Sequence, residues 1–317
     1  MTGTVLTATR APAETSASPG RVANEPVAFK NVLVGVDGMP TGRDAIALAE
    51  TLRHRDGRLT LAHIVLAQSP ADADFHSTEA GHQARDMLER ERAAAGVSAD
   101  LTGMFAPSVG RALHELAADT GADLLVVGSS TPGALSRLLR GHDPRATPSG
   151  APCAVAVAPL GYAERPKPIE TIGVAYNGTP ASETPLAAAC AVASSHGATV
   201  RTLTVVKGAR AVARYRHPLV PRWRRTDAPP KPAPASRACS CVNVDGRVAI
   251  GSPNKVLLAF GDQVDLLVVG SRGHGLLRRL LLGSTSAHLA RSVRCPVLVP
   301  KRGLRRMSKM TIERSSG

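Results

Sequence analysis

Apolar residues fall into two rhythms that alternate along most of the chain. One is a short, nearly unbroken run, as in Lys30-Asn-Val-Leu-Val-Gly-Val-Asp37. Such a run fits a strand buried on both faces of a parallel sheet. The other is helical spacing, as in Ala45, Leu48, Ala49 and Leu52. Read in order, the pattern predicts a strand over Lys30–Asp37, a helix over Arg43–Arg53 and a strand over Leu59–Val65. A loop over 66–78 and an amphipathic helix over His82–Ala95 follow. Next come a weaker strand over Asp100–Phe105, a helix from Ser108 to Asp119 and a strong strand over Asp123–Val127 that ends in Gly128. Helix-like residues occupy 134–140, and Cys153–Ala158 is the last strand of this set.

The same order then recurs. Strands are predicted over Ile169–Asn177, Thr199–Val206, Cys241–Asp245 and Val264–Val269, and a last one near 296–300. Helices are predicted over Thr184–His196, Ser252–Phe260 and Thr285–Val293. Asp37 and Asn177 are about 140 residues apart, and Gly128–Gly270 and Cys153–Cys295 are about 142 apart. Constant spacing across several landmarks marks a duplicated domain. Strands alternating with helices imply an α/β fold, with parallel sheets covered on both faces. The divisions expected are a disordered tail at 1–28, a first unit at 29–160, a second unit at 168–302 and a basic tail at 303–317. Pro166 and Pro168 break the linker between the units. One region departs from the repeat. Where the first unit has its long helix, the second has 207–240, with prolines at 221, 229, 230, 232 and 234. Prolines at that density exclude a continuous helix, so a basic insertion stands in its place.

Composition sharpens this picture. At 317 residues the chain is long enough for two domains. Aromatics are 3% against a hydrophobic fraction of 43%, so the cores must be built from Val, Leu, Ile and Ala. The net charge of +14 is concentrated in 207–237 and in the C-terminal tail. It raises nucleic acid or an acidic partner as a class of ligand. Only Tyr215 and Trp223 interleave the basic residues of 207–237, which is thin for a stacking platform. The five cysteines are odd in number and scattered, so a disulfide framework is not expected. Cys239-Ser-Cys241 lacks the second pair that a zinc site needs. No apolar run reaches the 18 or so residues of a membrane span, and 1–28 lack the apolar core of a signal peptide. The expected location is the cytoplasm.

The stretch Gly270 to Ser286 carries the chemistry. It joins a buried strand to a helix through glycines, which let a backbone approach a ligand closely. A helix N-terminus supplies free N–H groups and partial positive charge for an anion. The stretch is neither a P-loop nor a dinucleotide fingerprint, since neither pattern occurs there. Gly270, Gly273, Gly283 and Ser284 have the spacing G-x2-G-x9-G-[ST], between Leu-Leu-Val-Val-Gly270 and Arg294-Cys-Pro-Val-Leu-Val-Pro300. This resembles the nucleotide loop of the universal stress protein family. The resemblance covers about 31–160 and 169–300.

The resemblance implies two tandem open parallel five-stranded sheets with helices on both faces, Rossmann-like, packed as an internal pseudo-dimer with their last strands near the contact. It also implies ATP as the ligand, with or without Mg2+. Carried onto this chain, the site comprises Asn177, Val206, Gly270, Gly273, Gly283, Ser284 and Ser286. Asn177 departs from the acid usual there, though its amide still suits a ribose hydroxyl or a base edge. The first unit keeps Asp37, Val65, Gly128 and Gly141, but its loop is degenerate. Thr131 stands in place of Gly273, His142 in place of Ser284, and Asp143 and Pro144 follow. One competent site, in the second unit, is therefore expected. Hydrolysis needs a positioned water and charge stabilisation, and the loop offers no Walker-type lysine or clear base. The expected role is a nucleotide-binding regulator of stress survival that works through a protein partner. A slow ATP hydrolase is one alternative. A binder of nucleic acid or an acidic partner through the insertion and tail is another. Oligomerisation beyond the internal pair is left open.

Overall fold

The computed structural model describes residues 5–7, 29–67, 75–129, 152–206, 242–270 and 284–301. In the first unit these form β2 (Phe29–Gly35), α1 (Pro40–Leu52), β3 (Arg53–Leu66), α2 (Glu79–Ala95), β4 (Asp100–Ala106), α3 (Val109–Asp119), β5 (Leu124–Gly128) and β6 (Ala154–Ala158). In the second they form β7 (Thr171–Ala175), α4 (Glu183–His196), β8 (Thr199–Val206), β9 (Val244–Ile250), α5 (Pro253–Gly261), β10 (Leu266–Val268), α6 (Ser284–Ser292) and β11 (Val297–Val299). Ahead of both stands β1 (Val5–Thr7).

Strands within each unit pair in parallel, in the orders β6-β5-β2-β3-β4 and β9-β8-β7-β10-β11. The two sets are not separate sheets. β6 and β11 pair antiparallel and make one continuous 11-stranded sheet, with β1 antiparallel on the outer edge of β9. The register at the junction is symmetric: Val297 faces Val157, Leu298 faces Ala156 and Val299 faces Val155. Ala156 and Leu298 are equivalent positions of the repeat, so a local two-fold passes through their pairing. Each unit alone would leave an open row of backbone donors and acceptors along its last strand. Pairing the two rows satisfies both.

Because side chains alternate along a strand, each strand feeds two cores. Val32, Val34, Leu124 and Val126 pack under α1 and α2, in one cluster with Ile172, Val174, Leu266 and Val268 of the second unit. Leu33, Leu125, Val155 and Val157 face the other way, in one cluster with Leu267, Val297, Phe260 and Leu289. Both layers therefore run across the two units. The linker is fixed as well. Asp44, 2% exposed on α1, accepts the N–H of Gly161 at 2.9 Å and of Ala163 at 2.8 Å. Tyr162 is buried between them, and its hydroxyl donates to Thr51 Oγ1 at 3.3 Å. At the amino ends of the strands, Asp123 holds the N–H groups of Lys30 and Asn31, and Asp265 those of Glu170 and Thr171. These two acids are one feature, repeated.

Several expectations change. The tail at 1–28 was expected to be disordered, yet within it Val5–Thr7 pairs antiparallel with the outer edge of β9. The weak strand expected over Cys241–Asp245 lies at Val244–Ile250 instead. It pairs with β8 from Val200–Val244 to Val206–Ile250, so the reach of β8 sets its length. Cys190, buried on α4, is disulfide-bonded, although the odd and scattered cysteines gave no expectation of a disulfide framework. Cys153 and Cys295 are free and buried, and burial pushes each thiol up to about 12. The helix expected over 134–140, the insertion at 207–240 and the tail at 303–317 lie outside the described residues.

Candidate functional site at the carboxyl end of the second unit

In an open parallel sheet a crevice forms where neighbouring strands send their chains in opposite directions. In the second unit that point lies between β7 and β10, since β8 and β9 lie on one side and β11 on the other. The chain leaves β7 through Tyr176 and Asn177, and leaves β10 through Val269 and Gly270. Val269 N–H donates to the Leu298 carbonyl at 3.0 Å, which holds the end of β10 to β11. Ser286, buried in the first turn of α6, donates its hydroxyl to the Gly270 carbonyl at 2.8 Å. That bond ties the start of α6 to the strand end and sets Gly270 at the rim of the crevice.

Asn177 is the hub of the opposite rim. Its Oδ1 accepts from Thr179 N–H at 3.1 Å, Thr179 Oγ1 at 2.6 Å and Ser182 Oγ at 2.9 Å. Ser182, 4% exposed, also meets the Thr179 carbonyl at 2.7 Å. A 3-10 turn over Pro180–Ser182 comes before α4, which starts only at Glu183. The amide Nδ2 of the exposed Asn177 is the part of that side chain left to face a ligand. Burial, and then Glu183, raise the pKa of Tyr176 beside it.

Val206 sits at the carboxyl end of β8 as expected, but its carbonyl is taken by Gly251 N–H at 3.0 Å, on the β9 side. The Leu203 carbonyl accepts Tyr176 N–H at 3.0 Å, on the β7 side. Peptide groups alternate sides along a strand, so Val205 presents its N–H and C=O where β7 has diverged. Val206, expected at the site, thus turns its carbonyl toward β9, and Val205 turns its peptide groups toward β7. The same alternation holds in the first unit. Val36 N–H donates to the Ala62 carbonyl at 2.8 Å, so Ile64 faces the crevice side and Val65 faces β4, where it pairs with Phe105.

The first unit closes the same place with its own backbone. Asp37 accepts Met39 N–H at 3.1 Å and Thr41 Oγ1 at 3.4 Å, and α1 begins directly at Pro40. A Cβ on Gly128 would overlap the Thr41 carbonyl. The equivalent carbonyl in the second unit, that of Ala181, would lie 3.8 Å from a Cβ on Gly270. Among the described residues, the later helix start thus leaves more room beside Gly270 than the earlier start leaves beside Gly128. Ser284 opens α6, while Gly273, Gly283 and Gly141 lie outside the described residues. Among the described residues no group of three or more His, Cys, Asp or Glu is arranged to hold a metal ion, and no helix is long and apolar enough to cross a membrane.

Comparison with known proteins places this geometry. The model of the universal stress protein family matches residues 28–159 and again 168–301. A universal stress protein of Mycolicibacterium smegmatis is 28% identical over 291 residues, covering 84% of this chain and 96% of its own. One from Thermus aquaticus, described as lying in the QAH/OAS sulfhydrylase 3' region, is 33% identical over 136 residues, covering 41% of this chain and 97% of its own. Among solved structures, a universal stress protein from Archaeoglobus fulgidus superposes with a TM-score of 0.56 at 16% identity, over 87% of this chain and 97% of that one.

Proposed function

The chain belongs to the universal stress protein family, as a tandem of two family domains, and from that premise we propose that its second unit binds ATP and that the protein regulates a stress response through a partner. One observation carries the reading: Gly270 stands at the switch point with an open face. The nearest described atom to a Cβ there is Pro185 Cγ at 3.4 Å, an ordinary contact, so among the described residues packing does not demand glycine. A ligand backed by the start of α6 does, because phosphate must approach the main chain closely. The peptide edge of Val205 supports an adenine, offering one donor and one acceptor in the plane of the sheet. Gly273, Gly283 and Ser284 complete the phosphate loop by sequence, and Mg2+ would enter with the nucleotide.

The test is a titration of ATP-Mg into the full chain and into Gly283→Val, with mass spectrometry of small molecules released from the purified protein. We expect about one adenine nucleotide per chain in the wild type and at least a tenfold loss of affinity in the variant. Two equivalents per chain, or affinity unchanged by Gly283→Val, would contradict a single site in the second unit.

A further inference from the structure

We propose that the disulfide of Cys190 is a redox-responsive tether, which joins α4 to one of the two cysteines just ahead of β9, Cys239 or Cys241, and which a dithiol reductant opens. The tether is independent of any nucleotide.

The partner follows by count. The chain has five cysteines. Cys190 is disulfide-bonded, while Cys153 and Cys295 are free thiols. Within one chain only Cys239 and Cys241 are left. The described residues that follow them agree. Val242, next in sequence to Cys241, packs against the same apolar cluster that holds Cys190. The Asn243 carbonyl accepts the Val200 N–H at 2.9 Å, which sets the chain against the start of β8. From a segment that already packs where Cys190 does, little chain has to be crossed to reach α4.

The first unit shows what the bond replaces. α1 buries Ala45, Leu48, Ala49 and Leu52, and α4 buries Leu186, Ala189, Cys190 and Ala193 at the same spacing, so Cys190 takes the place of Ala49. α1 is held from the side by α2, whose buried Glu91 accepts two hydrogen bonds from Arg43, at 2.8 and 3.0 Å. Among the described residues no helix stands beside α4 in the place of α2. There the covalent bond supplies the lateral hold. An ion pair persists whatever the redox state, whereas a disulfide does not. α4 also begins directly after the turn in which Ser182 donates to Asn177 Oδ1, so the tether acts on the helix that frames the crevice.

Opening is a two-electron exchange. A reductant thiolate attacks the sulfur of the partner cysteine, because Cys190 is only 2% exposed. Cys190 leaves as a thiolate and takes up a proton, since burial disfavours its charged form as it does at Cys153 and Cys295. The second thiol of the reductant then displaces the partner cysteine from the mixed disulfide. The dithiol becomes a disulfide, and the protein gains two thiols.

The test is peptide mapping of the full chain, with free thiols alkylated first, before and after incubation of the folded protein with dithiothreitol. A peptide pair joining Cys190 to Cys239 or Cys241 of the same chain is expected before reduction. It is expected to vanish in the folded protein with reductant and to return when the reductant is removed. Reduction is expected to lower the melting midpoint of the wild type by about 3 °C or more. The same reductant is expected to shift Cys190→Ala, and the double variant Cys239→Ser with Cys241→Ser, by less than about 1 °C. Alanine fits α4 as Ala49 fits α1, and the double variant leaves α4 unchanged. A free Cys190 thiol before reduction, or a bond to a second chain, overturns the proposed connectivity. A bond that opens only on unfolding, or an equal fall in midpoint in all three proteins, overturns the tether as a responsive element.

Discussion

A side-chain carbon added at Gly128 would run into the Thr41 carbonyl, whereas one added at Gly270 would meet nothing described closer than 3.4 Å. The two glycines are equivalent in the repeat, yet one is explained by packing and the other is not. Gly128→Ala is expected to destabilise the protein by roughly 1–3 kcal/mol, the usual cost of overpacking against a rigid neighbour. Gly270→Ala is expected to stay within about 0.5 kcal/mol of wild type in stability. Denaturant melts of both variants decide this, and a larger loss at Gly270 than at Gly128 would reverse the assignment. Asp37 and Asn177 teach the same lesson. Each caps the turn that follows its strand, so an acid or amide there has a structural duty before any ligand arrives.

The contrast between α1 and α4 sits at the scale of the element. α1 begins at Pro40, whose fixed φ suits a first helical position and brings the helix straight up to the strand end. The second unit instead inserts the 3-10 turn over Pro180–Ser182, held by the Ser182 hydroxyl through Asn177 Oδ1 and the Thr179 carbonyl. Removing that hydroxyl with Ser182→Ala should cost about 0.5–1.5 kcal/mol, since its single proton serves the two acceptors between them. It should also weaken nucleotide binding, because Asn177 loses a restraint. A melt and an ATP titration on one sample test both. Binding unchanged in a measurably destabilised variant would show that the turn serves the fold alone. The strand β9 shows why element boundaries were harder to read than element order. Its sequence, Val244-Asp-Gly-Arg-Val-Ala-Ile250, contains an Asp-Gly pair that reads locally as a turn. Eight residues of β8 offer a ladder, and the paired strand runs through it.

For the molecule as a whole, the junction of β6 and β11 is decisive. It fuses two repeats into one sheet, and both apolar layers continue across it. Asp44 and Tyr162 pin the linker to α1 on the same side. Halves that share a core have little to gain by unfolding apart. We therefore expect one cooperative transition, with coincident curves by far-UV circular dichroism and by calorimetry. A core substitution in one unit, such as Leu186→Ala, should lower that single midpoint by an amount equivalent to about 2–5 kcal/mol. Two separated transitions, only one of which moves in the variant, would show the units to be thermodynamically independent.

The sequence by itself determined the repeat, the order of strands and helices, the low-aromatic core and the glycine loop at the end of β10. Each of these depends on local spacing or on composition, and local terms survive reading one residue after another. Only the tertiary structure decided the rest. The symmetric register of Ala156 against Leu298 depends on two edges that are distant in the chain. That Val205 rather than Val206 turns its peptide groups toward β7 depends on which side a neighbouring strand occupies. The different fates of Gly128 and Gly270 depend on where a helix begins relative to a strand more than 80 residues away in sequence. The burial of Asp44 depends on the linker, whose Gly161 and Ala163 N–H groups it accepts from across more than 110 residues of sequence. In every case the deciding quantity is a distance between residues far apart along the chain, and no local pattern encodes it.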